Sequence, residues 1–93
     1  MYATIRNYTH PTLALALVER ESDVRRLIEG IEGFHAYYLI RTDDGVASVS
    51  VYDDQSGAEE SNRAAADWIR ENLPRMAIDP PQISAGEVVI SIP

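Results

Sequence analysis

Apolar and polar positions alternate along the chain with two different periods, and the changes of period divide it into segments. Residues 2–8, YATIRNY, mix Tyr, Thr and Ile with polar neighbours, a strand composition. From Leu13 the period lengthens. Leu13, Leu17, Val24, Leu27 and Ile28, flanked by Ala14 and Val18, approximate one helical face, so a first helix is expected over 13–28. Thr9 can cap it and Pro11 suits its first turn, while Gly30 and Gly33 stop it. Glu21–Arg25 and Arg25–Glu29 have the i,i+4 spacing of ion pairs on its wet side.

Two further strands are expected over 34–42 and 46–53, joined by the hairpin turn Asp43-Asp44-Gly45. An even loop puts Phe34, Ala36, Tyr38, Ile40, Ala47, Val49 and Val51 on one face and segregates apolar from polar residues better than an odd one. This apolar face is expected beneath the helices. The other face then carries His35, Tyr37, Leu39, Arg41, Val46, Ser48, Ser50 and Tyr52. Ser56-Gly57-Ala58-Glu59 has capping-box spacing, with Ser56 as the cap of a second helix that runs to about Leu73. Its apolar stripe is Ala58, Ala65, Trp68, Ile69 and Leu73; Glu59–Arg63 and Arg63–Asp67 brace the outer side, and Pro74 ends it. QISAGEVVISI, 82–92, is a fourth strand; its Val88-Val89-Ile90 run lacks alternation, as in strands covered on both faces.

The order βαββαβ specifies an α+β, ferredoxin-like fold: a four-stranded antiparallel sheet with two helices on one face. At 93 residues, a single domain over 1–93 is expected. Tyr37, Leu39, Val46 and Tyr52 make the face away from the helices too apolar for a small monomer, so a homodimer closed through that face is expected. Its dimer face would consist of His35, Tyr37, Leu39, Ser48, Ser50 and Tyr52.

Charge and composition narrow the chemistry. The net charge is −7 and every basic residue is Arg, which opposes binding to nucleic acid or to anionic membranes. With no Lys there is no Schiff base, and with no Cys there is no disulfide, thiolate metal site or cysteine nucleophile. The N-terminus MYATIRNYTH lacks a basic-then-apolar leader, so a cytoplasmic location is expected. Nucleophile elbow, phosphate loop, dinucleotide fingerprint and HExxH are all absent. His10 reads as a neighbour of the helix cap and His35 as a rim residue. No metal site is expected.

The opening YATIRNY, the entry Gly33-Phe34…Tyr37-Tyr38-Leu39, the Asp-Gly hairpin and VYDDQSGAEES in order resemble the dimeric α/β-barrel superfamily, close to its antibiotic biosynthesis monooxygenase (ABM) branch, over nearly the whole chain. The resemblance implies two sheets paired face to face. It also implies a cavity between helices and sheet for a small aromatic or polyketide-like ligand. Some members oxidise that ligand with molecular oxygen and no cofactor; others cleave haem. Oxygenase members use an Asn and a Trp about one turn apart on the second helix. Asn62 and Trp68 are six residues apart, about 120° from eclipse. Haem-degrading members have an Asn on the first strand, a Trp on the second helix and an axial His farther along that helix. Asn7 and Trp68 answer to the first two, but no His follows residue 35.

The candidate pocket is therefore Asn62, Trp68, Tyr38 and Asn7, with no cofactor. Each has a plainer reading: Trp68 and Tyr38 as core, Asn62 as a solvated helix position. Arg6 and Arg41 can pair with carboxylates or meet an acidic ligand. Two functions stay open. One is a small-molecule-binding protein, with cofactor-free monooxygenation of aromatic substrates as its catalytic form. The other is a non-catalytic dimeric binding or stress-related accessory protein whose core is filled.

Overall fold

The computed structural model describes residues Met1–Pro93. Strand β1 (Tyr2–Thr9) leads to two short helices, α1 (Leu13–Val18) and α2 (Glu21–Glu29). The hairpin β2 (Phe34–Arg41) and β3 (Gly45–Tyr52) follows, then the long helix α3 (Gln55–Asn72), a 3-10 turn at Pro74–Met76 and strand β4 (Gln82–Glu87). The four strands form one sheet in the order β2-β3-β1-β4, with every neighbouring pair antiparallel. This is the ferredoxin-like arrangement expected from the order of elements.

The single helix expected over 13–28 is instead two, hinged at Glu19–Arg20. Leu13, Ala14 and Leu17 are buried, but the next positions on that face are Arg20 and Glu21, which stay in water. A straight helix would drive those charges against the sheet. The chain turns and restarts, and α2 seats Ile28 in the core. Arg25 then bridges Glu21 (3.3 Å) and Glu29 (3.4 Å), the two expected pairs. The expected Glu59–Arg63 and Arg63–Asp67 pairs do not form; on α3, Arg70 pairs with Asp67 at 2.5 Å. The cap of α3 is Asp54 rather than Ser56. Its carboxylate accepts from the Ser56 hydroxyl (2.7 Å) and the Gly57 N–H (3.2 Å), which holds its pKa below the ordinary carboxylate range. β4 ends at Glu87. Beyond it Val89, Ile90 and Ile92 stand exposed, so the run expected to be covered on both faces is bare in a single chain.

The hairpin pairs in the expected register, with Tyr38 opposite Val49 and Ile40 opposite Ala47, but its faces are reversed. Tyr37, Leu39, Val46, Ser48, Ser50 and Tyr52 lie beneath the helices, whereas Ala36, Tyr38, Ile40, Ala47, Val49 and Val51 line the open side. Strand β1 decides this. Its inward residues are Thr4, Arg6 and Tyr8, all buried, and its outward ones include Ile5 and Asn7. The inward Ser50 hydroxyl of β3 then accepts from Arg6, and the more apolar face is the one left uncovered. A bulge at His35 returns Phe34 to the inner side, opposite Tyr52, with ring centroids 5.9 Å apart in an edge-on contact.

Two buried clusters fill the space between layers. Tyr8, Leu13, Leu17, Val46 and Leu73 form one; Ile28, Ile31, Tyr52 and Ala58 form the other. The Tyr52 hydroxyl donates to the Ile28 carbonyl at the end of α2 (2.7 Å), and burial pushes the phenol up to about 12. Gly45 sits where the hairpin end crosses β1, and a Cβ there would lie 1.9 Å from the Tyr8 carbonyl oxygen. Gly45→Ala is expected to cost about 1–3 kcal/mol or more in urea unfolding. Gly86→Ala, which meets nothing within 4 Å, should stay within about 1 kcal/mol of the parent chain. Equal effects would show that the strand crossing is not constrained.

Candidate functional site

The polar centre of the molecule is Arg6, a guanidinium only 1% exposed. Strand alternation aims it inward from β1. Its Nη1 donates to the Ser61 hydroxyl (3.1 Å) and to the Asn62 amide oxygen (2.9 Å) on α3, and its Nη2 donates to the Ser50 hydroxyl (3.0 Å) on β3. Thr4 donates to the same Asn62 oxygen at 3.0 Å, and the Ser61 hydroxyl donates in turn to the Ala58 carbonyl at 2.7 Å. All these acceptors are neutral. The five ion pairs of the chain involve Arg25 (twice), Arg26, His35 and Arg70, so Arg6 has no carboxylate partner. A buried cation without a counter-ion costs several kcal/mol and survives only where hydrogen bonds replace its water.

Three phenols surround it. Burial raises the pKa of Tyr8, Tyr37 and Tyr52, and Arg6 partly opposes the rise in each case. At neutral pH all three are therefore uncharged. Ser48 lies beside Arg6 across the β1–β3 ladder; its hydroxyl is fully buried and has no hydrogen-bond partner. That orphan is unusual, because buried polar atoms are nearly always paired.

Next to these groups is a chamber of about 30 Å³ bordered by Arg6, Tyr8, Tyr37 and Ser48 together with Leu27, Trp68 and Ile69, and its surface is almost wholly apolar. It adjoins a groove of about 350 Å³ between the α1–α2 pair and β2. Leu17, Val24, Ile28, Tyr37 and Leu39 line both spaces, and Phe34 closes the outer one. The mouth is ringed by Glu21, Arg25 and Glu29, which already pair with one another.

The expected site residues divide between the two faces. Asn62 and Trp68 both reach the space between helices and sheet, Asn62 as the acceptor behind Arg6 and Trp68 as a chamber wall. Tyr38, 63% exposed, and Asn7 lie on the open face instead, because the outward set of β1 and β2 is the odd one on β1 and the even one past the bulge. The residues assigned to the dimer face are displaced in the opposite sense: Tyr37, Leu39, Ser48, Ser50 and Tyr52 all lie inside. His35 sits at the bulge against the Asp53 carboxylate. His10 accepts from the Thr12 N–H (3.3 Å), and its other ring nitrogen lies 2.8 Å from the Met76 carbonyl, tying β1 to the 3-10 turn. No three His, Asp or Glu side chains converge as a metal site would require. Ser61 and Tyr8 were not among the expected site residues, Ser50 was expected on the dimer face, and Arg6 was expected only to pair with a carboxylate or meet an acidic ligand. The alternation within YATIRNY, which puts Thr4, Arg6 and Tyr8 on one face, was the available signal.

No family model and no curated protein matches the chain. Solved structures do match in fold. The haem degrader MhuD from Mycobacterium tuberculosis, with two haems bound in its active site, superposes with a TM-score of 0.72 at 14% identity over 100% of both chains. SnoaB, a cofactor-independent oxygenase from Streptomyces nogalater, gives 0.68 at 13% identity, covering 99% of this chain and 96% of its own. The monooxygenase of ActVA-Orf6 from Streptomyces coelicolor, in complex with nanaomycin D, gives 0.67 at 19% identity, covering 98% and 88%. The chain therefore shares with these proteins the ferredoxin-like fold. No helix is long and apolar enough to cross a membrane.

The hydroxyls around Arg6 separate experimentally. Ser50→Ala removes an acceptor from a buried cation and should cost about 1–3 kcal/mol in chemical denaturation. Ser48→Ala removes an orphan and should be neutral or stabilising by about 1 kcal/mol. A Ser48→Ala cost as large as that of Ser50→Ala would mean that Ser48 is partnered after all.

Proposed function

We propose that this protein binds a small aromatic or polyketide-like molecule in the groove between the α1–α2 pair and β2, and that it works as a homodimer. The observation that carries the reading is the continuity of the 350 Å³ groove, lined mainly by apolar side chains, with a small, mostly apolar chamber at its inner end. Its volume lies within the range of small-molecule sites, and its make-up, apolar walls with few convergent polar groups, is typical of them. The fold shared with SnoaB and ActVA-Orf6 supports a catalytic form, cofactor-free monooxygenation. In that reaction the substrate supplies the electrons. A ring-flanked CH2 becomes a carbonyl, keeps one atom of O2, and gives up two hydrogens that leave with the other atom as water.

The small inner chamber, about 30 Å³, favours a second reading, because no ring fits there. In it the groove binds a metabolite without chemistry. Trp68 is the sole tryptophan and lines the chamber, so its emission reports occupancy. Saturable quenching by a panel of anthrones and quinols, with oxygen uptake, is expected for the oxygenase. Quenching without uptake leaves the binding protein, and neither response removes both.

The dimer reading rests on the open face, where Ile5, Tyr38 and Ile40 are exposed beside Val49 and Val51. Light scattering should give twice the 10.3 kDa of one chain. Tyr38→Asp should halve the mass, whereas a lone chain before substitution would refute the pairing.

A further inference from the structure

We propose that Phe34 limits the size of ring system the groove admits, and that the pair His35–Asp53 is the latch that keeps Phe34 in place. Phe34 is then the specificity-determining side chain, and His35 and Asp53 position it from outside the groove. This rests on the reading of the groove as a binding site. It goes further by naming the ligand's size class, compact ring systems over extended ones, and the residues that select it.

The first observation is the direction of Phe34. Ala36, Tyr38 and Ile40 of β2 point to the open side of the sheet, so regular alternation would turn Phe34 there too. The bulge at His35 reverses it. Phe34 instead packs edge-on against Tyr52, half-buried, where it lines the outer groove but not the inner chamber. At about 350 Å³ the groove is near the lower end of small-molecule sites, which run from roughly 300 to 1,000 Å³. In so small a space one phenyl ring at the border decides how far a ligand extends.

The second observation is that the bulge is tied down at one place. Gly33, just before Phe34, has φ +86°, a conformation open to glycine. A Cβ there would lie 3.2 Å from both the Cβ and a carboxylate oxygen of Asp53. The Asp53 N–H donates to the Gly33 carbonyl at 2.8 Å, and the Asp53 carboxylate pairs with the His35 ring. The next residue, Asp54, caps α3 and is spent on Ser56 and Gly57. Asp53 therefore fastens the bulge to the junction of β3 and α3, with Phe34 held between its two attachment points. His35 and Asp53 are 41% and 67% exposed, so the pair biases Phe34 rather than locking it. A contact this open to water is worth a factor of about five at most.

The test compares naphthol, with two fused rings, and hydroxypyrene, with four, through quenching of Trp68. His35→Ala should tighten hydroxypyrene binding about three- to fivefold and leave naphthol unchanged or weaker. General loss of structure would weaken both, so a gain for the larger probe is specific. Phe34→Ala should give a greater gain, and adding His35→Ala to it should give nothing further, because the latch acts through Phe34. His35→Gln, which can still donate to Asp53, should return the parent selectivity. Should His35→Ala fail to fold, Asp53→Ala releases the latch from its other side and should give the same gain. If the probes bind and neither His35→Ala nor Asp53→Ala changes their ratio, the latch falls and the groove reading stands. If Phe34→Ala also leaves the ratio unchanged, the size limit falls with it. If neither probe binds the parent or Phe34→Ala, the groove reading falls and takes the inference along.

Discussion

The structure is organised around a positive charge that is shut off from bulk solvent and has no counter-ion. Arg6 sits at the middle of the central strand β1 and is held by hydroxyl and amide oxygens from β3 and α3. Because desolvating a guanidinium costs several kcal/mol, each of those oxygens has to be in reach at once. That requirement fixes how α3 is rotated. Ser61 and Asn62 must point at the sheet, and Ala58 and Gly57, on the same side, then lie close enough to touch Tyr52. It also explains why the inner face of β3 carries serines where a sequence pattern would place valines.

The same constraint shapes the outside of the molecule. Apolar side chains displaced from the inner face by this polar network appear on the other side of the sheet, as Ile5, Val49, Val51, Tyr38 and Ile40. The exposed Val89, Ile90 and Ile92 after β4 add to them. A chain of this length buries its hydrophobic surface incompletely by itself. The sheet thus has a polar inside that needs the helices and an apolar outside that they do not cover.

The order of elements, the hairpin register and the apolar stripe of α3 were all legible in the sequence, since each rests on local periodicity and turn chemistry. The assignment of faces was not. Hydrophobicity alone favours turning Val49, Val51 and Tyr38 inward, and only the partners of Arg6 reverse that choice. Those partners come from Ser50, Ser61 and Asn62, distant in sequence, so no local pattern displays them. The bulge at His35 moved Phe34 to the face opposite its neighbours for a similarly nonlocal reason: the pairing of Asp53 N–H with the Gly33 carbonyl at 2.8 Å. The helix break at Glu19–Arg20 was within reach, because the apolar stripe lapses there. Of the candidate site, Asn62 and Trp68 were found by residue type; Arg6 was marked as a charge able to meet a carboxylate, but its burial among neutral oxygens required knowing which way β1 faces.

The arrangement also limits what the chain's own groups can do for a bound molecule. A proton taken from a ligand in the chamber needs an acceptor, and none adjoins it. Tyr8 and Tyr37 are neutral phenols whose raised pKa makes them hydrogen-bond donors rather than bases. His10 is committed to the Thr12 N–H and the Met76 carbonyl, and His35 to Asp53 at the rim. Glu21 and Glu29 stand at the mouth, already paired with Arg25. The amino groups of Arg6 are themselves spent on Ser50, Ser61 and Asn62. What borders the chamber is therefore mostly apolar surface, and any proton lost by a bound molecule would have to leave to solvent rather than to a base of this chain.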